Sequence, residues 1–401
     1  MIGVAVLGAT GSIGRSTLDV LARHPRQYRP VALAARSNAE LLAQQCLQFE
    51  PGHAALEDPA AALQLQQQLR QAGLRTQVHS GPAAITELAR LSEVDCVMAA
   101  ICGAAGLDST LAAARAGKRL LLANKESVVM AGALLMQAVQ ASGATLIPID
   151  SEHNAIFQCL PAGARLGVTP AGVRRLLLTA SGGPFLEWNA AAIARATPAQ
   201  ACAHPRWNMG RKISVDSATL MNKGLEFIEA SVLFAVPAAA IEVVVHPQSI
   251  VHSLVEYQDG SMLAQLGSPD MRTPIAQALA WPARMASGVE FLDLVRAGRL
   301  DFRAPDRERF PCLALAEAAA RSGGVASTWL NAADEVAVAA FLAGQLNFGD
   351  IAAVIETVMN RITSGTAAGL DEVRAADAEA RARAQQAVRA RAATYPVGAH
   401  A

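Results

Sequence analysis

Seven residues near the amino terminus, Gly8-Ala9-Thr10-Gly11-Ser12-Ile13-Gly14, constrain the fold more than any other stretch. They follow a short apolar run, Ile2–Leu7, and lead into a segment with apolar residues at helical spacing, Ile13, Leu18 and Leu21. Glycines here permit a tight turn and let backbone N–H groups reach a pyrophosphate at the positive end of a helix. A glycine triad alone is a weak signal, and its competing reading is a structural turn. Its place between a strand and a helix, within a repeating strand–helix pattern, is the context a dinucleotide site requires.

That pattern continues to about residue 150. Near-continuous apolar runs at 31–34, 94–100, 119–123 and 145–149 alternate with helical stretches at 39–49, 59–72, 107–116 and 127–142. Buried strands alternating with helices imply a parallel sheet covered on both faces. From 150 to 284 the pattern changes. A helix follows Ser151, a strand is expected at 176–180, a polar loop at 202–212 and one helix at 218–234. Strands at 241–245, 250–257 and 261–266 are expected to be antiparallel, the last two flanking an Asp259-Gly260 turn. Residues 285–311 read as a linker and 312–395 as alanine-rich helices. The expected fold class is α/β: an N-terminal Rossmann-like dinucleotide-binding domain (1–149), a central α+β catalytic domain (150–284) with a lid loop at 202–212, and a C-terminal helical domain.

Composition narrows the function. With 34 basic and 34 acidic residues the net charge is zero, so no global field draws nucleic acid or an anionic membrane. A hydrophobic fraction of 52% excludes disorder. No run approaches the roughly 18 apolar residues of a membrane span. The six cysteines form no C-x-x-C pair, which argues against a zinc site or a redox dithiol. With no visible signal peptide, the expected setting is a reducing cytoplasm.

The end of the second strand selects the cofactor. Ala35-Arg36-Ser37-Asn38 offers no acid for a ribose 2′-hydroxyl, whereas Arg36 with small polar neighbours suits a 2′-phosphate. The competing reading is a helix cap by Ser37 or Asn38 beside a solvated arginine. Asp150 ends a strand, and in an extended segment Asp150 and Glu152 point the same way, onto one hard cation. Against this stands simple capping of the next helix. Asn222, Lys223 and Glu226 share a helix face, either as part of the site or as a surface ion pair. Gly224 among them costs about 1 kcal/mol relative to alanine, which points to close approach by a ligand or a neighbouring chain. Ser181-Gly182-Gly183-Pro184 has the make-up of an anion loop. The segment 204–212, with His204, Trp207 and three cations, reads as a lid over a charged ligand or as a surface excursion with Trp207 in the core. Lys125 follows a strand, placed for the crevice or merely solvated.

With these motifs, and with Leu122-Ala123-Asn124-Lys125-Glu126-Ser127, Pro148 to Asn154, Thr179 to Phe185, His204 to Glu226 and Asn331-Ala332-Ala333-Asp334-Glu335-Val336, the sequence resembles the 1-deoxy-D-xylulose 5-phosphate reductoisomerase family. The resemblance extends to about residue 365. It implies an NADPH-dependent oxidoreductase of non-mevalonate isoprenoid biosynthesis, a homodimer, with a small phosphorylated sugar as substrate. It implies a divalent cation (Mg²⁺ or Mn²⁺, or Co²⁺) on Asp150, Glu152 and Glu226, these acids and Lys125 forming the catalytic set. Lys125, Ser151, Glu152, Ser181, His204, Trp207, Ser217, Asn222, Lys223 and Glu226 would contact substrate. Thr10, Gly11, Ser12, Ile13, Arg36, Ser37, Asn38, Asn124, Glu126 and Gly210 would line the NADPH site, and Trp207 with Met209 would close over the ligand. The family commonly has glycine where Arg36 stands. Two other readings compete: a metal-independent NADP dehydrogenase of the aspartate-semialdehyde or homoserine type, and an NADP-sensing binding protein. The first lacks a convincing catalytic cysteine here, and the intact acids at 150, 152 and 226 argue against the second.

Overall fold

The computed structural model describes residues 1–204, 207, 209–362 and 365–393. Pro205, Arg206 and Asn208 of the expected lid loop, and the last two residues of the expected helical domain, lie outside the described residues. The chain begins β1 (Ile2–Leu7), α1 (Ser12–Arg23), β2 (Tyr28–Ala35), α2 (Ala39–Phe49), β3 (His53–Leu56), α3 (Pro59–Gln71), β4 (Gln77–Ser80) and α4 (Pro82–Leu88). It continues through β5 (Cys96–Ala99), α5 (Leu107–Arg115), β6 (Arg119–Leu122), α6 (Lys125–Ser142), β7 (Thr145–Pro148) and α7 (Ser151–Cys159). Next come β8 (Val173–Ala180), α8 (Ala190–Ala194), α9 (Pro198–Cys202), α10 (Arg211–Ala218), α11 (Met221–Leu233), β9 (Ile241–Val245), β10 (Val251–Tyr257), β11 (Met262–Leu266) and α12 (Arg272–Ala280). Helices α13 (Leu294–Ala297), α14 (Pro311–Ser322), α15 (Ala326–Leu342), α16 (Asp350–Met359) and α17 (Leu370–Ala392) complete it. The fold class is the expected one.

The described residues form two compact units. The first comprises Met1–Ser127, Leu135–Phe157 and Asp270–Phe291; the second comprises Val128–Leu134, Gln158–Pro269 and the chain from Leu292 onward.

A seven-stranded sheet organises the first unit, in the order β4-β3-β2-β1-β5-β6-β7 with every pair parallel. Its core is the apolar runs themselves, including Val4, Val6, Leu33, Leu56, Met98, Leu121 and Ile147. Strand order reverses between β1 and β5, so the glycine loop after β1 sits where a ligand crevice belongs. Four elements here were absent from the sequence expectation: β3, β4, α4 and α12. β3 and β4 have four residues each, and β4, Gln77-Val78-His79-Ser80, is a polar edge strand with no apolar alternation to read. α4 has only seven residues and starts at Pro82. The buried Cys46 and Cys96 thiols are pushed up to about 12 by desolvation, and among the described residues no cysteine is in a disulfide.

The second unit holds a sheet in the order β11-β10-β8-β9. β10 is antiparallel to both β8 and β11, but β9 runs parallel to β8, which corrects the expectation of three antiparallel strands. The reason is the connection: β8 reaches β9 through four helices, and such a crossover, unlike a hairpin, yields a parallel pair. The helix expected at 218–234 is α11, and α10 in front of it was not expected. α10 and α11 are separated at Leu220, which takes a left-handed φ of 60° although neither glycine nor proline marks the break. Gly224 is also explained. A Cβ there would lie 2.4 Å from the Ala316 Cβ, so the close neighbour is α14 of the same chain, not a ligand or another chain.

Candidate active site

Parallel strands all end on one edge of the sheet, which brings the loop after β1, Arg36 after β2, Asn124 after β6 and Asp150 after β7 to that edge. The glycines of the first loop are needed sterically. Gly8 has φ +95°, and a Cβ on it would sit 2.4 Å from the Ala100 carbonyl oxygen. A Cβ on Gly14 would sit 2.3 Å from Gly8 O, so only glycine lets α1 start against the loop. No side chain caps α1 and no acid stands in its first turn. Its first N–H groups are therefore left without a side-chain cap, the arrangement an anion site uses.

Arg36, Ser37 and Asn38 are all exposed. Asn38 caps α2, its Oδ1 accepting from Leu41 N–H at 3.0 Å, so the capping reading holds for this residue. Asn124 caps α6 through Ser127 N–H, 2.9 Å away, and its Nδ2 donates to Ile101 O, Gly103 O and Glu126 Oε2. These bonds tie the loops after β5 and β6 together along the edge. Lys125 is not a solvated lysine. It is the first residue of α6, buried, and ion-paired to Asp150.

Asp150 and Glu152 do converge, a carboxylate oxygen of each lying within 4.8 Å of the other, but through a helix start and not an extended segment. The Asp150 carbonyl accepts from Asn154 N–H at 2.8 Å, and Glu152 stands in the first turn of α7. Ser151 Oγ donates to Glu152 Oε2 at 2.6 Å. Asn154 Nδ2 donates to Pro148 O and to Gln277 Oε1, which fixes this turn on β7 and α12. Gln277, over 120 positions away along the chain, carried no signal in the sequence.

In the second unit the loop after β8 meets α10. Gly182 and Gly183 have φ of +85° and +69°, and a Cβ on Gly183 would lie 2.6 Å from Ser217 O. The loop thus lies against the Ser217 backbone. Ser181 Oγ is 2.9 Å from His204 Nε2 and accepts from Gly183 N–H at 3.2 Å. His204 Nδ1 accepts from Trp207 N–H at 2.9 Å. Burial pushes the His204 imidazole down to about 4, so it is neutral at pH 7. With Nδ1 accepting, its proton is on Nε2 and is donated to Ser181 Oγ, which leaves the serine's own proton to donate outward.

On α11, Lys223 is paired with Glu226, and Asn222 Nδ2 also donates to Glu226. Lys223 and Glu226 are only 3% and 1% exposed, so this is not the surface ion pair of the competing reading. Taking such a pair out of water costs several kcal/mol per ion before the attraction offsets it. His252 on β10 was missed by sequence reasoning. It is buried, 6.2 Å from the Trp207 ring between centroids, and pushed down to about 4, chiefly by burial, with the Lys223 charge adding to the effect. Gly210, expected at the cofactor, is the N-cap of α10 in this unit.

A further buried cluster fastens α10. Lys212 Nζ lies 2.7 Å from Asp216 Oδ2 and 3.2 Å from Asp334 Oδ2 on α15. Burial, and the Asp216 carboxylate beside it, push the Asp334 carboxyl well above its usual range. Lys212 and Asp216 stand one helical turn apart and were readable as a pair; Asp334 was not. Of the expected metal ligands, Asp150 and Glu152 belong to the first unit and Glu226 to the second.

Family models match three segments: 1-deoxy-D-xylulose 5-phosphate reductoisomerase over residues 4–132, its C-terminal domain over 146–234, and a DXP reductoisomerase C-terminal domain over 266–383. A curated relative from Dechloromonas aromatica (strain RCB), named 1-deoxy-D-xylulose 5-phosphate reductoisomerase, is 60% identical over 386 residues, 96% of this chain and 97% of its own. A crystal structure of DOX-P reductoisomerase in complex with NADPH, fosmidomycin and magnesium is similar at a TM-score of 0.93 and 47% identity, over 97% of this chain and 98% of that one. The Zymomonas mobilis enzyme in complex with NADPH gives 0.88 and 48%, over 96% and 98%. With identity this high over nearly the full length of both chains, the protein belongs to the 1-deoxy-D-xylulose 5-phosphate reductoisomerase family.

Proposed function

We propose that this protein converts 1-deoxy-D-xylulose 5-phosphate to 2-C-methyl-D-erythritol 4-phosphate, with NADPH as reductant and a divalent cation (Mg²⁺, Mn²⁺ or Co²⁺) as Lewis acid. The observation that carries this reading is the sorting of polar groups in the second unit. A neutral, donor-rich cluster of Ser181 and His204 lies against the Ser217 backbone, and the Lys223–Glu226 pair is buried on the neighbouring α11. The first suits a phosphate, and the second combines a cation for an oxyanion with a carboxylate for a metal.

Asp150, Glu152 and Glu226 are the proposed metal ligands. All three are oxygen donors of the kind hard cations take. Each already accepts from a neighbour: Lys125, Ser151, and Asn222 with Lys223, respectively. When bound, the cation polarises the substrate's hydroxyketone and NADPH supplies the hydride. Lys125 and Ser151 orient the substrate oxygens. Ser181, Ser217, Asn222 and Lys223 hold the phosphate, and His204 turns the Ser181 hydroxyl proton toward it. Holding both ends of the substrate positions the carbons between them. Thr10, Gly11, Ser12 and Ile13 cradle the pyrophosphate, Asn124, Glu126 and Gly210 line the rest of the cofactor, and Arg36, Ser37 and Asn38 take the 2′-phosphate. Trp207 and Met209, in the lid loop 202–212, exclude water.

The functional partition proposed is a cofactor domain (1–149), a catalytic domain (150–284), a linker (285–311) and a C-terminal helical domain (312–395). The protein is proposed to work in the cytoplasm as a homodimer paired through β11. That strand is the edge of its sheet, with Met262 and Leu263 45% and 50% exposed. Among the described residues no helix is long and apolar enough to cross a membrane. NADPH oxidation requiring both the sugar phosphate and a divalent cation tests the activity; full turnover in excess chelator overturns the metal assignment. A monomer by light scattering rejects the dimer.

A further inference from the structure

The first unit carries a cluster of ligating side chains that the reaction does not use. His53 opens β3 and His79 lies in the edge strand β4. The register pairs His53 with Gln77 and Ala55 with His79, so both imidazoles stand on one face of the sheet. His53 is at the amino-terminal end of β3, and His79 stands level with Ala55, two residues further along. His53 Nδ1 and His79 Nε2 face each other at 3.2 Å, with the ring planes 28° apart. Two nitrogens on one tetrahedral cation, each about 2.0–2.1 Å from it, are separated by about 3.3 Å. The gap between the rings is therefore the edge length of such a site.

The third member fixes which nitrogen points inward. His53 Nε2 lies 3.1 Å from Glu93 Oε1, which accepts its proton and leaves the Nδ1 lone pair aimed at His79. Without metal, His79 Nε2–H donates to that lone pair. A shift of the His79 proton to its Nδ1 frees a second lone pair with no change of charge, and a turn of each ring by about 35° brings both lone pairs onto a tetrahedral cation set beside the N···N line. Burial and the neighbouring His53 ring hold His79 below its usual range, so the imidazole stays neutral and competent to ligate. Both rings are half-buried, and Glu93 is exposed, so water reaches the remaining coordination positions.

We propose that His53 and His79, oriented by Glu93, form a site for one borderline divalent transition cation of the Zn²⁺ or Cu²⁺ kind, separate from the carboxylate site, where it clamps β4 to β3. The test uses the full chain in saturating Mg²⁺, titrated with Zn²⁺ and followed by calorimetry. One extra equivalent is expected to bind. Glu93→Gln should weaken binding about 10-fold, and His79→Ala should remove that equivalent while Mg²⁺-supported NADPH oxidation is unchanged. Equal Zn²⁺ binding by wild type and His79→Ala overturns the proposal. A second readout needs no variant: Cu²⁺ bound to the wild-type chain should show electron paramagnetic resonance couplings to two imidazole nitrogens. A spectrum without nitrogen couplings overturns it as well.

Discussion

What the first unit offers at its glycine loop is mostly backbone: an uncapped helix start, and glycines at 8 and 14 where a methyl would meet a carbonyl oxygen at 2.4 or 2.3 Å. What the second unit offers is buried charge and buried imidazole: Lys223 with Glu226, Lys212 with Asp216 and Asp334, and the neutral rings of His204 and His252. A backbone site is damaged by adding atoms. A charge site is damaged by removing a partner or adding a proton. The two regions should thus fail differently, and variants can be chosen to separate the failures.

The largest effect is expected at Glu226. Glu226→Gln keeps the shape and removes the charge, leaving Lys223 buried without its anion. Turnover should fall by about 10³-fold or more, while NADPH affinity, read by nicotinamide fluorescence, stays within about twofold. A parallel loss of NADPH binding would break the contrast between the units.

Acid should act on the second unit through His252. Its folded value, about 4, lies below the unfolded value of about 6.5. Between these limits the unfolded chain binds the extra proton, so stability is full above about pH 6.5 and declines as pH falls toward 4, by on the order of 3 kcal/mol. In urea titrations across that range His252→Gln should flatten the decline. Identical pH slopes in the two proteins would remove His252 as the cause.

Gly14→Ala tests the first unit by adding one methyl. Overpacking against backbone should cost about 1–3 kcal/mol in stability and raise the KM for NADPH, with the cation dependence of turnover unaltered. The smallest effect is expected at Arg36, exposed and at the rim. Arg36→Ala should raise the KM for NADPH about 10-fold, the scale of one charge-assisted bond, and leave that for NADH nearly unchanged; equal effects on both would defeat the 2′-phosphate role.

The same contrast decides what the sequence made legible. The glycine loop is local, and its flanking apolar runs have the spacing of a strand and a helix, so fold class, cofactor type and edge residues could all be read from it. β3 and β4 escaped because four residues with a polar edge leave no periodicity. The break at Leu220 escaped because a left-handed leucine is held by its surroundings, not by its own chemistry. The Asn222-Lys223-Glu226 face was readable from helical spacing, but its depth was not, since burial depends on elements brought against α11 from distant parts of the chain. Gln277, His252 and Asp334 meet Asn154, Trp207 and Lys212, respectively, only through tertiary contact, and no local pattern announces them.

Gly224 bears on the alanine content of the carboxy-terminal helices. A glycine on α11 facing an alanine on α14 leaves no room for even one added methyl, and helix axes that meet through such residues stand at the short end of the usual 8–10 Å range. The two small residues work as a spacing gauge. They set how deeply α11 seats, and with it the height at which Lys223 and Glu226 are presented on the same turn. A polar site whose ions must be placed to a fraction of an ångström is thus calibrated from behind by side chains that have no chemistry of their own.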